Sequence, residues 1–296
     1  MYKLVLIPCF LFAFSVVGQQ VNFTTTDAKG NPILLGKTNK DAFKNESFSW
    51  FNINYNNYLT NDKVINHLKD SLNNSTIKVF YGSWCGDSKR ELPKFYKVID
   101  EVDFDKNKLE VIAVDKKPEA YKTSPNGEEK GLNIHRVPTF IFYKNNKEIG
   151  RIVESPKQDF ERDIFAITSQ KKYTPQYMVV EYLHKLLNES SIIDLQKEQF
   201  KLTTYLAEYT KGSRELNTYG YKLLRSKQIE KALFIFELNT KMYPYKANVF
   251  DSLAEAFYTI KNYEMALKNY DKALSLKPND KDILAMIDKI KTEMMQ

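Results

Sequence analysis

The fold is decided by residues 81–93, which read YGSWCGDSKRELP. The residues just before them, 77–81, form a short apolar run that is typical of a buried strand, and 88–102 carry apolar residues at helical spacing. Cys85 therefore lies where a strand runs into a helix. The positive end of the helix dipole and the free backbone N–H groups favour a thiolate at such a position. Cys85 is accordingly the candidate nucleophile.

Around this stretch, residues 61–170 alternate between two types of secondary structure. The pattern predicts further strands at 109–114, 139–143 and 148–153 and further helices at 64–72 and 160–167. A strand–helix–strand unit followed by a hairpin and a helix predicts an α/β domain, in which a mixed sheet is flanked by helices.

The stretch around Cys85 resembles the thioredoxin active site, W-C-x-x-C, with Trp84 and Cys85 in register. Pro93 matches the proline that kinks the active-site helix of that family. The resemblance covers residues 61–170 and implies a thioredoxin-like fold.

A second matching segment is 137–143, which reads VPTFIFY. It resembles the family's strand whose cis-proline faces the reactive cysteine. The resemblance implies that the bond before Pro138 is cis, that Pro138 lies beside Cys85, and that Val137 and Thr139 border an extended substrate.

Two departures from the family concern its second thiol. Ser88 stands where the family has its resolving cysteine, and Val79 stands where it has a buried aspartate that serves that thiol. A mixed disulfide formed at Cys85 therefore has no internal thiol to release it. This pattern favours exchange, isomerisation or partner trapping over net dithiol oxidation or reduction.

Three charged residues near Cys85 have opposing effects in this scheme. Asp87 adds a negative charge close to the thiol, which disfavours the thiolate. His135 and Arg136, just before the Val-Pro segment, are expected to oppose it with positive charge. The alternative is that all three are plain surface residues.

The N-terminus has the pattern of a secretory signal peptide over residues 1–18. Lys3 precedes an apolar run, and Gly18 marks the expected cleavage site. Cleavage removes Cys9, which leaves Cys85 as the remaining cysteine and excludes an internal disulfide. We expect an exported protein, periplasmic or extracellular and of bacterial type. A retained membrane anchor is the alternative; no later segment approaches the ~18 apolar residues of a membrane span.

Composition excludes several classes of function. The net charge is +7, yet 44 Lys and Arg are interleaved with 37 Asp and Glu, so no basic block favours nucleic acid. Three scattered histidines show no metal-ligand spacing. We therefore expect no nucleic-acid partner, no metal and no cofactor.

The C-terminal part is helical and repeats itself. Five positions recur after 34 residues with their class of side chain kept: Gly220, Leu223, Ala232, Phe236 and Pro244 become Ala254, Phe257, Ala266, Tyr270 and Pro278. This period is similar to that of tetratricopeptide repeats, and it predicts two repeats and a capping helix over 216–296. Residues 19–60 then form an N-terminal extension that begins with a hairpin-like stretch, and 171–215 a helical connector.

Two functional hypotheses follow. In the first, Cys85 performs monothiol thiol–disulfide exchange, as a possible oxidoreductase or isomerase, on protein clients or peptide segments that the repeats recruit, and an external thiol reductant resets it. In the second, the thioredoxin-like fold and the repeats are a non-catalytic adaptor that only binds protein partners, and Cys85 is inert. In the first hypothesis we also expect that removal of 216–296 leaves the reactivity of Cys85 toward small disulfides nearly unchanged and sharply reduces the trapping of protein clients.

Overall fold

The computed structural model describes residues 20–296. The predicted signal peptide, 1–18, and Cys9 lie outside the described residues. The strands are β1 (Thr24–Thr26), β2 (Pro32–Leu34), β3 (Gly36–Thr38), β4 (Ser75–Tyr81), β5 (Leu109–Ala113), β6 (Thr139–Lys144) and β7 (Lys147–Val153). The α-helices are α1 (Trp50–Asn57), α2 (Asp62–Leu72), α3 (Gly86–Glu101), α4 (Phe160–Thr168), α5 (Met178–Glu189), α6 (Ile192–Lys197), α7 (Gln199–Tyr209), α8 (Ser213–Arg225), α9 (Ile229–Met242), α10 (Ala247–Thr259), α11 (Tyr263–Leu276) and α12 (Lys281–Met294).

A five-stranded mixed sheet in the order β3-β5-β4-β6-β7 forms the centre of the first half. β4 runs parallel to β5 and antiparallel to β6, with Val79 opposite both Val111 and Phe140. Residues 79–81 of β4 and 139–142 of β6 are fully buried, as expected for the part of central strands that is covered on both faces. The predicted α/β thioredoxin-like fold, followed by a helical region, is confirmed.

The two faces of the sheet are covered by different structures. Val79 and Tyr81 face a large core built with helices α1 to α4. Phe80, on the opposite face, packs into a smaller cluster of strand and loop residues that includes Val137 and reaches Cys85. The side of the sheet that carries the cysteine is thus covered by the long loop between β5 and β6.

The sheet begins earlier in the chain than residue 61. The hairpin predicted in 19–60 is present as β1 and β2, but β3 of the same segment pairs antiparallel with β5 as an edge strand. In addition, the backbone N–H of Leu34 donates a hydrogen bond to Ser83 Oγ at 2.9 Å. The N-terminal segment is therefore part of the α/β domain. Three-residue strands are too short for periodicity to reveal.

In the second half, the helices themselves repeat with the period of 34 residues. The bounds of α10 and α11 are those of α8 and α9 plus 34. A Cβ on Gly220 would meet the ring of Phe236 at 2.6 Å, so the small residue is what allows α8 to lie close to α9. α8 starts at Ser213, three residues before the predicted boundary at 216.

α5, α6 and α7 occupy the connector, and α12 follows the second helix pair. Their buried residues belong to one core with α8 to α11. Among residues 20–296, no helix has both the length and the apolar character needed to cross a bilayer.

The two halves meet through buried polar groups. His135 lies between the rings of Tyr177 and Tyr219, with centroids 6.4 Å and 6.3 Å away. Arg151 Nη1 lies 3.5 Å from Glu181 Oε1, across the contact between β7 and α5. This contact differs from the apolar cores on either side and resembles a polar interdomain interface.

Candidate functional site

Cys85 is the N-cap residue of α3, with an extended backbone (φ −90°, ψ 129°). Its N–H donates to Gly82 O at 2.8 Å, which closes a tight turn after β4, and its carbonyl accepts from Lys89 N–H at 3.0 Å. The thiol is partly buried and unpaired with any cysteine of the described chain. Cys85 therefore occupies the N-terminal end of α3, although its side chain accepts no hydrogen bond from the first turn of the helix.

The loop before β6 faces this thiol. The Val137–Pro138 peptide bond is cis, as the resemblance implies. Cys85 Sγ donates to Val137 O at 3.4 Å, so Val137 is brought directly to the sulfur. The hydroxyl of Thr139 donates to Arg136 O at 2.7 Å and is turned into the protein.

Trp84 lies against the loop that follows β5. Its indole N–H donates to Val114 O at 2.9 Å, and its ring centroid lies 5.5 Å from that of Tyr121. A Cβ on Gly82 would lie 2.6 Å from the indole, so only glycine leaves room for it here. Trp84 thereby forms one wall beside Cys85.

Ser88 faces the interior rather than the cleft. Its side chain is fully buried, and its hydroxyl accepts a hydrogen bond from Gly82 N–H at 3.1 Å. Val79, where the family has its buried aspartate, is fully buried in the sheet. Ser88 therefore stabilises the turn that carries Cys85 and offers no second thiol.

The charge of Asp87 is neutralised locally. Arg90 Nη2 lies 2.7 Å from Asp87 Oδ1, one turn along the same helix. Pairing of this kind weakens the repulsion that the sequence predicted between Asp87 and a thiolate at Cys85.

The expectation that His135 places positive charge near the thiol is wrong. His135 is fully buried in the contact between the halves, and burial lowers its pKa well below the usual range, so the ring is neutral near pH 7. Its Nδ1 lies 3.2 Å from Asn133 O. The side chain of a residue next to the active segment can face either way, and sequence does not tell which.

Arg136 does reach the cleft, but it is already paired. Its Nη1 lies 2.7 Å from Glu154 Oε1, and its guanidinium stacks 4.0 Å above the ring centroid of Tyr177. Its positive charge is therefore shared with Glu154 rather than left for the thiol.

A cleft of about 200 Å³ opens at Cys85. It is lined by Trp84, Cys85, Asp87, Tyr121, Lys122, Arg136, Val137, Glu154 and Thr218. Thr218 belongs to α8, and its hydroxyl lies 3.5 Å from Arg136 Nη2. The helical half thus forms part of the wall around Cys85. The expectation that removal of 216–296 leaves the reactivity of Cys85 nearly unchanged stays a prediction.

Two residues of the cleft were missed by sequence reasoning. Tyr121 lies between Trp84 and the guanidinium of Arg225, which sits 4.6 Å from its ring centroid. Lys122 adopts a left-handed backbone (φ 61°), and its ammonium donates to His135 O at 2.6 Å. Burial, assisted by the nearby charge of Arg136, lowers the pKa of Lys122 to about 8. Both residues come from an aperiodic loop, where no spacing distinguishes a buried lysine from a solvated one.

No group of three or more His, Cys, Asp and Glu side chains is arranged to hold a metal ion within residues 20–296. The chemistry that the described site offers is therefore that of one thiol at a helix start, facing a cis-proline loop.

Comparison with known proteins identifies the first half. The thioredoxin family model matches residues 57–165. Thioredoxin H2 of Arabidopsis thaliana is 31% identical over 102 residues, which are 33% of this chain and 66%, just under two thirds, of that protein. Thioredoxin H9 of the same plant is 25% identical over 149 residues, which are 50% of this chain and 98% of that protein. Residues 57–165 are thus a thioredoxin domain.

Proposed function

We propose that this protein is a monothiol thiol–disulfide exchanger, in which Cys85 attacks disulfides of protein clients. The observation that carries the proposal is the arrangement of Cys85 and Ser88. The sulfur of Cys85 lies in an open cleft at a helix start, 3.4 Å from Val137 O, whereas Ser88 is buried and hydrogen-bonded to Gly82. One reactive sulfur without a resolving partner supports exchange chemistry.

The first step is a sulfur exchange without net redox change. The Cys85 thiolate attacks one sulfur of a client disulfide, a new Sγ–S bond forms, the client S–S bond breaks, and the other client sulfur leaves as a thiolate. The adduct then reverses, rearranges within the client, or is released by an external thiol reductant. The backbone at Val137 lies beside the sulfur and suits an extended client segment.

The helical half is proposed to recruit the clients. α8 to α11 repeat with a period of 34 residues, which is similar to tetratricopeptide repeats, and such stacked pairs leave a concave face for peptide or protein segments. A client held there meets Cys85 at an effective concentration that reaches ~mM for a short linkage.

The proposal includes export. The predicted signal peptide, 1–18, would send the chain to the periplasm or the cell exterior, and disulfide-bonded clients are found in those compartments.

A trapping experiment tests the proposal. The purified protein is incubated with scrambled, disulfide-bonded ribonuclease, free thiols are blocked, and adducts are separated without reductant. We expect a reducible adduct at Cys85 that is absent in Cys85→Ser. The matched variant Ser88→Cys should accumulate much less adduct, because the thiol introduced at position 88 attacks the Sγ–S bond, closes an internal disulfide with Cys85 and releases the client as a thiol.

The adaptor hypothesis predicts a different result. If wild type binds the client but forms no more covalent adduct than Cys85→Ser does, the exchange proposal fails and the fold acts as a binding platform.

A further inference from the structure

We infer that Lys122 is the charge partner of Cys85, which stabilises its thiolate and the thiolate that leaves when Cys85 attacks a disulfide. The second part of the inference rests on the proposed function, whereas the first concerns the thiol itself. Lys122 would thereby supply the positive charge that sequence reasoning had assigned to His135.

Both groups are anchored to the same short segment of backbone. Lys122 Nζ donates to His135 O at 2.6 Å, and Cys85 Sγ donates to Val137 O at 3.4 Å, two residues further on. Both side chains line the same cleft of about 200 Å³. The ammonium and the thiol are thus bonded to carbonyl groups two residues apart, and both line one small cleft.

The other charges of the cleft are already paired. Asp87 is paired with Arg90, and Arg136 with Glu154. Among the carboxylates of residues 20–296, none forms an ion pair with Lys122, whose exposed fraction is 8%. A thiolate at Cys85 would therefore be an anion of the cleft that no other cation pairs with, available to this buried ammonium.

Some charged groups around Lys122 favour its ammonium form, and others disfavour it. Arg136 and Arg225 repel its positive charge, whereas Glu154 and an ionised Cys85 favour it. Where burial lowers the local dielectric, as it does at Lys122, two opposite charges stabilise each other more than they would in water. Burial disfavours the charged form of Lys122, and a negative charge in the same cleft offsets part of that penalty.

In the exchange step, the charge of Lys122 would stabilise first the attacking thiolate and then the leaving thiolate. As the Sγ–S bond forms and the client S–S bond breaks, negative charge moves from Cys85 to the leaving sulfur. An ammonium fixed in the wall of the cleft lies near the start and near the end of that movement, without forming a bond itself.

The test measures the rate at which iodoacetamide alkylates Cys85 in the full protein between pH 5 and 10, followed by mass spectrometry. Lys122→Gln retains a donor for His135 O and loses the charge, Lys122→Arg retains the charge, and Lys117→Met, an exposed lysine of the same loop, is the control. For Lys122→Gln we expect the midpoint of the pH profile to rise by about one pH unit, with the plateau rate above it unchanged. The rate at pH 6 should then fall about tenfold.

Lys122→Arg and Lys117→Met should both keep the wild-type midpoint. A second neutral variant, Lys122→Met, should repeat the result of Lys122→Gln. An unchanged midpoint in both neutral variants overturns the inference. So does a loss of rate that is equal at every pH, since that would indicate a purely structural role.

These outcomes are separable from those of the trapping experiment. Adducts at Cys85 together with an unmoved midpoint would refute the role of Lys122 and leave the exchange proposal intact. A raised alkylation midpoint in Lys122→Gln, together with no client adduct at Cys85 in wild type, would refute the exchange proposal and support the pairing of Lys122 with the Cys85 thiolate.

Discussion

The sheet half and the helical half of this chain achieve stability in different ways. The sheet half buries alternate residues of β4 on two faces, so that Val79 and Phe80 belong to separate cores. In the helical half one helix pair occurs twice, and its buried side chains form a single core, in which Gly220 lies against the ring of Phe236. Between them lies a contact of buried polar groups around His135. Each half therefore has its own apolar core, whereas the cleft at Cys85 takes its wall from both.

The largest effect that tests this division comes from two matched cavities. Phe140 in the sheet and Phe236 in α9 are both fully buried. Phe140→Ala and Phe236→Ala should each lower the free energy of unfolding of their own half by about 3–5 kcal/mol. Because the contact between the halves is polar, we expect two unfolding transitions in urea, monitored by circular dichroism, of which each variant shifts one.

A single transition that both variants shift equally would show that the halves unfold as one unit. In that case the polar contact contributes as much to cooperativity as either core does.

A smaller effect is expected at Lys122, where function and stability oppose each other. Lys122 has its pKa lowered from 10.5 to about 8, so below pH 8 the buried charge costs roughly 3 kcal/mol relative to the unfolded chain. Loss of its hydrogen bond to His135 O offsets about 1 kcal/mol. Lys122→Met should therefore raise the free energy of unfolding by about 2 kcal/mol at pH 7.

The pH dependence checks the cause. Between pH 8 and 10.5 the folded wild type loses the proton while the unfolded chain keeps it, so wild type gains stability as pH rises. The advantage of Lys122→Met should fade across that window in urea titrations. A constant difference from pH 7 to 10.5 would assign the effect to packing instead.

What the sequence could predict is local. The strand–turn–helix around Cys85, the cis bond before Pro138 and the 34-residue period each leave a pattern within a short window. β3 is too short to have a period. The position of a side chain in an interface leaves no pattern either, which is why His135 was misassigned and Lys122 was missed.

The contact itself should be sensitive to acid. Burial lowers the pKa of His135 well below 6.5. Below pH 6.5 this side chain is therefore protonated in the unfolded chain while it is still neutral in the folded chain. Stability should therefore fall as the pH drops below 6.5, because protonation favours the unfolded chain. Glu181, whose pKa burial raises, acts in the opposite sense, and His184, whose pKa burial lowers to about 4, acts in the same sense.

The contribution of His135 is therefore read as a difference between two proteins. His135→Phe keeps an aromatic ring between Tyr177 and Tyr219 but removes the titration. Its free energy of unfolding should depend less steeply on pH below 6.5 than that of wild type. If the free energy of unfolding depends equally on pH in both proteins, the contact between the halves opens at low pH and exposes His135 before its burial can oppose protonation.

The smallest expected effect concerns a cation of the helical half that touches the loop of the site. Arg225 stacks on Tyr121, which in turn packs against Trp84. An exposed cation–π contact contributes about 0.5–1 kcal/mol, so Arg225→Gln should barely change the free energy of unfolding. Without the guanidinium, the loop that carries Tyr121 loses a contact with α8. Arg225→Gln should therefore speed the hydrogen exchange of the Trp84 indole N–H, which donates to Val114 O. Lys227→Gln, an exposed neighbour in the turn after α8, should leave that exchange rate as it is. If Arg225→Gln leaves it unchanged as well, the helical half touches the cleft without supporting its wall, and Cys85 depends on the sheet half alone.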